Sequence, residues 1–245
     1  MTETILERME GEALFITLNA PDVGNAMTND MSARLADLLE GAADRARFVV
    51  LRAAGADFCI GRSSMGRKRA VRPEALALRR TNDVVFRCYG AFRRTPVPVI
   101  SVVQGRALGF GCALAAAADI TIAADSATFQ LPEFGHNIMP TMAMSALLGR
   151  VSDKAMMYIA YSTAIVDADR ALQLGLVSEV AKTGTVDQAV ARLCDTLLQA
   201  PLPAVLAIKE FARSAPGMNF NHAIEYARAL HATINSSSEM RREQE

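Results

Sequence analysis

Val103-Gln-Gly-Arg-Ala-Leu-Gly-Phe-Gly-Cys112 decides how the rest of the chain is read. The residues before it, 99–103, form a short β-branched run that reads as a buried strand. The residues after it, 109–118, are small and apolar and read as a helix. Gly109 and Gly111 bracket Phe110, which places the Phe110 N–H at a helix N-terminus. Free N–H groups and the helix dipole favour negative charge there. A Gly-rich packing turn would have the same composition. The spacing does not fit GxGxxG, which argues against a dinucleotide site.

Upstream, Pro96 and Pro98 break the chain, and a long helix is expected from Pro73 towards Arg94. Residues 48–51 read as another buried strand, and Thr28 caps a helix whose apolar positions are Met31, Leu35, Leu38 and Leu39. Residues 12–19 and 5–9 read as a hairpin across Glu10-Gly11. Downstream, a strand is expected over 120–123, then helices around 145–148, 153–160 and 167–174. The last 60 or so residues read as helical, broken at 201–203 and at Pro216-Gly217. Strands alternating with helices, then helices alone, predict an α/β layer protein with a helical C-terminal part.

The bulk properties exclude several classes. The chain has 245 residues, 51% hydrophobic and 21% charged, enough for a sizeable core. Lys+Arg and Asp+Glu both count 26, so nothing points to nucleic acid. The N-terminus lacks an apolar signal core, and the most apolar stretch, 107–124, is interrupted by Asp119. No membrane span is expected. Cys59, Cys88, Cys112 and Cys194 show no metal spacing and read as reduced packing residues, so a cytoplasmic location is the default expectation.

Two more segments carry chemistry. Gly55-Ala-Asp-Phe-Cys-Ile-Gly-Arg-Ser-Ser64 follows a strand, and Gly61 allows close backbone approach beside the Arg62 N–H. An ordinary turn reads the same way. Phe129-Gln-Leu-Pro-Glu133 fixes a carboxylate after a proline, with Pro140 seven residues beyond; a surface charge is the bland alternative. The basic cluster Arg67, Lys68, Arg69 and Arg72 is either a solvated loop or a phosphate contact.

Taken together, the three segments resemble the enoyl-CoA hydratase/isomerase (crotonase) family. Pro21-Asp-Val-Gly-Asn-Ala-Met27 is similar to the family's P-x-x-x-N-A-[LM] turn. Ala171-Leu-Gln-Leu-Gly-Leu-Val-Ser-Glu-Val180 is similar to its A-x-x-x-G-L-V-x-x-V segment. Pro203 with Lys209 resembles the start of its C-terminal helices. The resemblance runs from about Leu6 to about Arg228 and implies an α/β fold: a spiral of repeated β-β-α units over 1–184 and a helical region over 185–245.

It also implies residue roles. The Arg62 and Phe110 N–H groups would form an oxyanion hole for a thioester oxygen, each donor typically worth ~3–4 kcal/mol. Glu133 would be the catalytic carboxylate. Hydratases of the family use two glutamates; the position of the other holds Ala113 here, which cannot carry a proton. One carboxylate suffices to move a proton from the α- to the γ-carbon, so 3-enoyl to 2-enoyl isomerisation is favoured. The alternatives are a hydratase, a thioester hydrolase or decarboxylase, or a non-catalytic acyl-CoA-binding protein.

Val23, Gly24, Ala26, Ile60, Ser63, Ser64, Gly109 and Pro132 would lie along the acyl-CoA. Thr141, Met142 and Met144 would line the acyl pocket where the family has glycines. His136 is either a loop residue or a proton donor replacing the missing glutamate. The family's C-terminal CoA contact is absent, leaving the phosphates to Arg62, Arg67, Lys68 and Arg69. Coenzyme A arrives as part of the substrate, with no other cofactor, and a homotrimer or dimer of trimers is implied.

Overall fold

In the computed structural model, which describes residues 3–63 and 74–241, the chain opens on a hairpin. β1 (Ile5–Glu10) and β2 (Ala13–Leu18) pair antiparallel across Gly11, whose φ is 56°. α1 (Asn29–Glu40) starts where the Thr28 side chain accepts a hydrogen bond from Met31 N at 3.1 Å. It buries Met31, Leu35, Leu38 and Leu39, the helical stripe read from the sequence. β3 (Phe48–Ala53) and α2 (Ala75–Arg94) follow; the Pro73 helix start lies outside the described residues.

β4 (Val99–Val103) leads into β5 (Arg106–Leu108) and α3 (Phe110–Ala117). β6 (Ile120–Ala124), β7 (Thr128–Gln130) and α4 (Thr141–Leu147) repeat that order. Then come α5 (Asp153–Ser162), β8 (Val166–Asp167), α6 (Ala168–Leu174) and β9 (Glu179–Ala181). The chain ends on α7 (Val186–Gln199), α8 (Leu202–Ser214) and α9 (Phe220–Ser236). The strands β5, β7, β8 and β9 have two or three residues each, too short for any alternation to show in the sequence.

The strands form two sheets. One runs β1-β2-β3-β4-β6-β9, parallel except for the opening hairpin; the other runs β5-β7-β8. The loop after β3 joins the small sheet through a bridge between Cys59 and Ala107. Each turn of the chain thus places one strand in the large sheet, one extended segment in the small sheet, and then a helix. Units β3–Cys59–α2, β4–β5–α3 and β6–β7–α4 stack in register, Ile100 beside Ile120 and Ala107 beside Phe129.

The large sheet is covered on both faces, as its near-continuous apolar strands require. Val49 and Leu51 face the main core with α1, α2 and α3; Phe48 and Val50 face Ala189, Val190 and Cys194 of α7. α8 is tied down by Lys209. Its Nζ donates to Phe92 O and Val97 O, both at 2.8 Å, and pairs with Asp119 Oδ2 at 2.6 Å. α9 has no buried residue. No single helix among the described residues is long and apolar enough to cross a membrane.

Candidate active site

Three backbone segments build the site. In the first, Asn25 anchors the turn before α1: its Oδ1 accepts from Ala20 N and its Nδ2 donates to Ala54 O and Asp57 O, all at 2.8 Å. Met27 N then donates to Gly61 O at 2.9 Å, and Ser63 N donates to Met27 O at 3.0 Å. This parallel bridge occupies the groups on either side of Arg62 and turns the backbone N–H of Arg62 away from Met27. The Arg62 guanidinium donates to Asn29 Oδ1 at 2.8 Å and Asn82 Oδ1 at 3.2 Å, tying the loop to α1 and α2.

The second segment lies directly on the first. Cys59 N donates to Arg106 O at 3.1 Å, and Leu108 N donates to Cys59 O at 2.9 Å. Gly111 sits so close to Cys59 O that no side chain fits there. Gly109 has φ 51° and ψ −108°, and this turn opens α3 at Phe110. The first bond inside α3 is Ala113 N to Gly109 O, and the Phe110 N–H has no hydrogen-bond partner among the described residues. That donor is a helix-terminal anion site.

The third segment is stitched to the second by Gly109 N donating to Gln130 O at 2.8 Å. Three residues on, Glu133 is 8% exposed, and its Oε2 has no hydrogen-bond partner. Burial pushes the carboxyl above the ordinary glutamate value, against the lowering effect of a backbone hydrogen bond and of His136. A buried carboxyl whose pKa is raised in this way is suited to proton transfer.

Arg62, Phe110 and Glu133 meet around one cleft of about 110 Å³. Tyr89 of α2 forms a wall, Ile138 and Met139 the rim, and Pro140, Met142 and Ala143 the remainder. The thiols of Cys59, Cys88 and Cys112 are pushed up to about 12 by burial, so they are protonated and not nucleophiles. Among the described residues no cluster of His, Cys, Asp and Glu could hold a metal.

Other expected site residues fall beside the cleft or away from it. Gly24 and Ile60 pack together: Ile60 N donates to Gly24 O at 3.0 Å, and a β-carbon on Gly24 would meet Ile60 Cδ1 at 2.8 Å. Val23 is exposed and Ala26 half-buried in the turn before α1. Gly109 lies under the Glu133 carboxyl, and Pro132 Cδ lies against Gly109. Ser63 is exposed. Ala113 is fully buried within α3 and does not line the cleft.

Of the three residues expected in the acyl pocket, only Met142 lines it. α4 turns Ala143, Ala146 and Leu147 inward, which leaves Thr141 exposed and Met144 off the cleft. His136 is exposed at the end of a one-turn helix and is not brought into the cleft, although its charge acts on Glu133. Ser64, Arg67, Lys68 and Arg69 lie outside the described residues. Tyr89 was invisible in the sequence, since a tyrosine on an apolar helix stripe looks like core. Ile138 and Met139 come from a loop with no periodicity.

A family model described as enoyl-CoA hydratase/isomerase matches residues 8–244. The chain is 29% identical to the 2,3-dehydroadipyl-CoA hydratase of Escherichia coli K12, over 99% of this chain and 94% of the relative. It is 29% identical to the 1,2-epoxyphenylacetyl-CoA isomerase of the same organism, over 98% and 94%. It superposes with TM-score 0.83 and 27% identity on an enoyl-CoA hydratase of Thermobifida fusca YX solved in complex with CoA, covering 94% of this chain and 92% of that one.

Proposed function

The chain belongs to the enoyl-CoA hydratase/isomerase family and has its crotonase-type spiral fold, and from that premise we propose that it is an enoyl-CoA isomerase, moving a double bond from the 3- to the 2-position. One observation carries this reading. Among the described residues the cleft holds a single carboxylate, Glu133, buried and with Oε2 unpartnered. Water addition is served by two groups that orient and split the water; isomerisation needs one group that takes a proton and returns it.

In this scheme the thioester oxygen sits between the N–H groups of Arg62 and Phe110. Glu133 takes a proton from C2, the C2–H electrons form a C1=C2 bond, and the carbonyl π electrons move onto the thioester oxygen, leaving C3=C4 in place as a dienolate. Charge spreads onto the thioester oxygen, where the two donors and the dipole of α3 stabilise it. The carbonyl then re-forms, the C1=C2 electrons become the C2=C3 bond, and the C3=C4 electrons take the proton back from the same carboxyl at C4, giving the 2-enoyl thioester. CoA enters as part of the substrate and lies along Val23, Gly24, Ala26 and Ile60. The chain acts as a homotrimer or dimer of trimers.

The test is spectroscopic. 3-enoyl-CoA given to the protein should gain the conjugated enoyl-thioester band, with little loss of that band when 2-enoyl-CoA is supplied. Rapid hydration of 2-enoyl-CoA with no action on 3-enoyl-CoA would overturn the isomerase reading.

A further inference from the structure

Beside Arg62 and Glu133, Tyr89 is a further polar group of the cleft, with no assigned role. It lies on α2 and is 5% exposed, more than nine-tenths buried. Its ring packs on Phe110 with centroids 4.9 Å apart and planes tilted by 43°. The ring is therefore fixed beside the residue whose N–H forms the anion site. Its hydroxyl has no hydrogen-bond partner among the described residues, while its side chain lines the same small cleft as Glu133. The hydroxyl is not one of the fully buried atoms left unpaired, so it keeps some contact with open space while the side chain lines the cleft, and a tyrosine O–H so placed is free to donate to a bound ligand. Burial holds the phenol well above its ordinary pKa, so it stays a proton-bearing donor across the working range.

An all-hydrocarbon acyl chain filling about 110 Å³ would displace water from this hydroxyl and replace it with nothing. A chain carrying an oxygen within the cleft would accept the hydrogen bond. That oxygen is uncharged, since a second carboxylate beside Glu133 would repel it. We propose that Tyr89 is a specificity residue that donates a hydrogen bond to a neutral keto or hydroxyl oxygen on the acyl chain. The substrate class is thus short, oxygen-bearing enoyl-CoA esters rather than plain fatty enoyl-CoA. This rests on the acyl-CoA reading of the cleft. Sites built to hydrogen-bond a substrate oxygen discriminate strongly against analogues that lack it.

The test uses three thioesters that have no double bond to move: butanoyl-CoA, 3-oxobutanoyl-CoA and 4-hydroxybutanoyl-CoA, titrated calorimetrically into the intact protein. The better of the two oxygenated ligands should bind at least about tenfold more tightly than butanoyl-CoA. Tyr89→Phe keeps the ring against Phe110 and so preserves folding. It should bring the two affinities within about threefold of each other while leaving butanoyl-CoA as tight or tighter. Equal binding of all three by wild type, or an undiminished preference in Tyr89→Phe, overturns the assignment and leaves the acyl-CoA reading standing. If wild type binds none of the three, both fall.

Discussion

Glu133 Oε1 stands 2.8 Å from the point that a β-carbon on Gly109 would occupy, so the carboxyl rests on the bare Cα of the residue that opens α3. The proposed base and the proposed oxyanion donor are thereby fixed to each other through a glycine. Gly109→Ala should push the carboxyl away and strain a backbone held at φ 51°. A displacement of about 1 Å is worth on the order of 100-fold in rate. The expected outcome is a loss of that size in kcat with CoA affinity nearly retained. Unchanged kcat in a folded variant would show that the carboxyl is not positioned by this contact.

Glu133→Gln removes the one carboxylate that the cleft holds among the described residues and should lower kcat by about 10²–10⁴-fold, with CoA binding intact. Wild-type kcat/KM should rise with pH through an apparent pKa above 4.5, because burial raises the group that must be ionised. A profile already flat at that value, or full turnover by the variant, refutes the assignment.

The same shift has a consequence for stability. The folded protein binds the Glu133 proton more tightly than the unfolded chain does, so its contribution is greatest below pH 4.5 and is lost as pH rises through the folded value. Glu133→Gln carries no such loss. It should melt higher than wild type at neutral pH, with the gap closing on acidification. A gap that is constant across pH would argue against a buried, reluctantly ionised carboxyl.

Lys209 holds α8 to the spiral through two carbonyls and Asp119, with its side chain 5% exposed. Asp119 also accepts from Val99 N at 2.9 Å and Arg150 Nη2 at 3.0 Å. Asp119 keeps Arg150 and Val99 N as partners, but without Lys209 the Phe92 and Val97 carbonyls lose this donor, at about 1–3 kcal/mol for each buried group left unpaired. Lys209→Met should therefore lower the melting temperature sharply and make α8 and α9 sensitive to protease first. A thermal scan that superposes on wild type would remove the clamp from this account.

Ile208 is 72% exposed and Phe220 78% exposed, on helices that leave an open apolar groove between Phe211 and Leu230. Exposed apolar surface of this kind is covered in stable proteins. Sedimentation should find three or six chains per particle, and Ile208→Asp should shift that equilibrium towards the monomer. A wild-type monomer at micromolar concentration would overturn the proposed assembly.

What the sequence determined by itself was local. Glycines at 61 and 109 imposed the turns, Thr28 and the stripe from Met31 to Leu39 made α1, and the apolar runs at 48 and 99 made buried strands, because backbone preference and periodicity act over a few residues. The motifs then named Arg62, Phe110 and Glu133. Only the tertiary structure decided that these three share one cleft. Their convergence depends on backbone bonds between distant segments, from Met27 to Gly61, from Cys59 to Leu108 and from Gly109 to Gln130. The strands β5, β7, β8 and β9 exist only through such pairings. Side-chain direction followed the same rule. Register turned Thr141 and His136 outward and brought Met142 and Tyr89 in, and no local signal distinguishes a tyrosine in the core from one that faces a cleft.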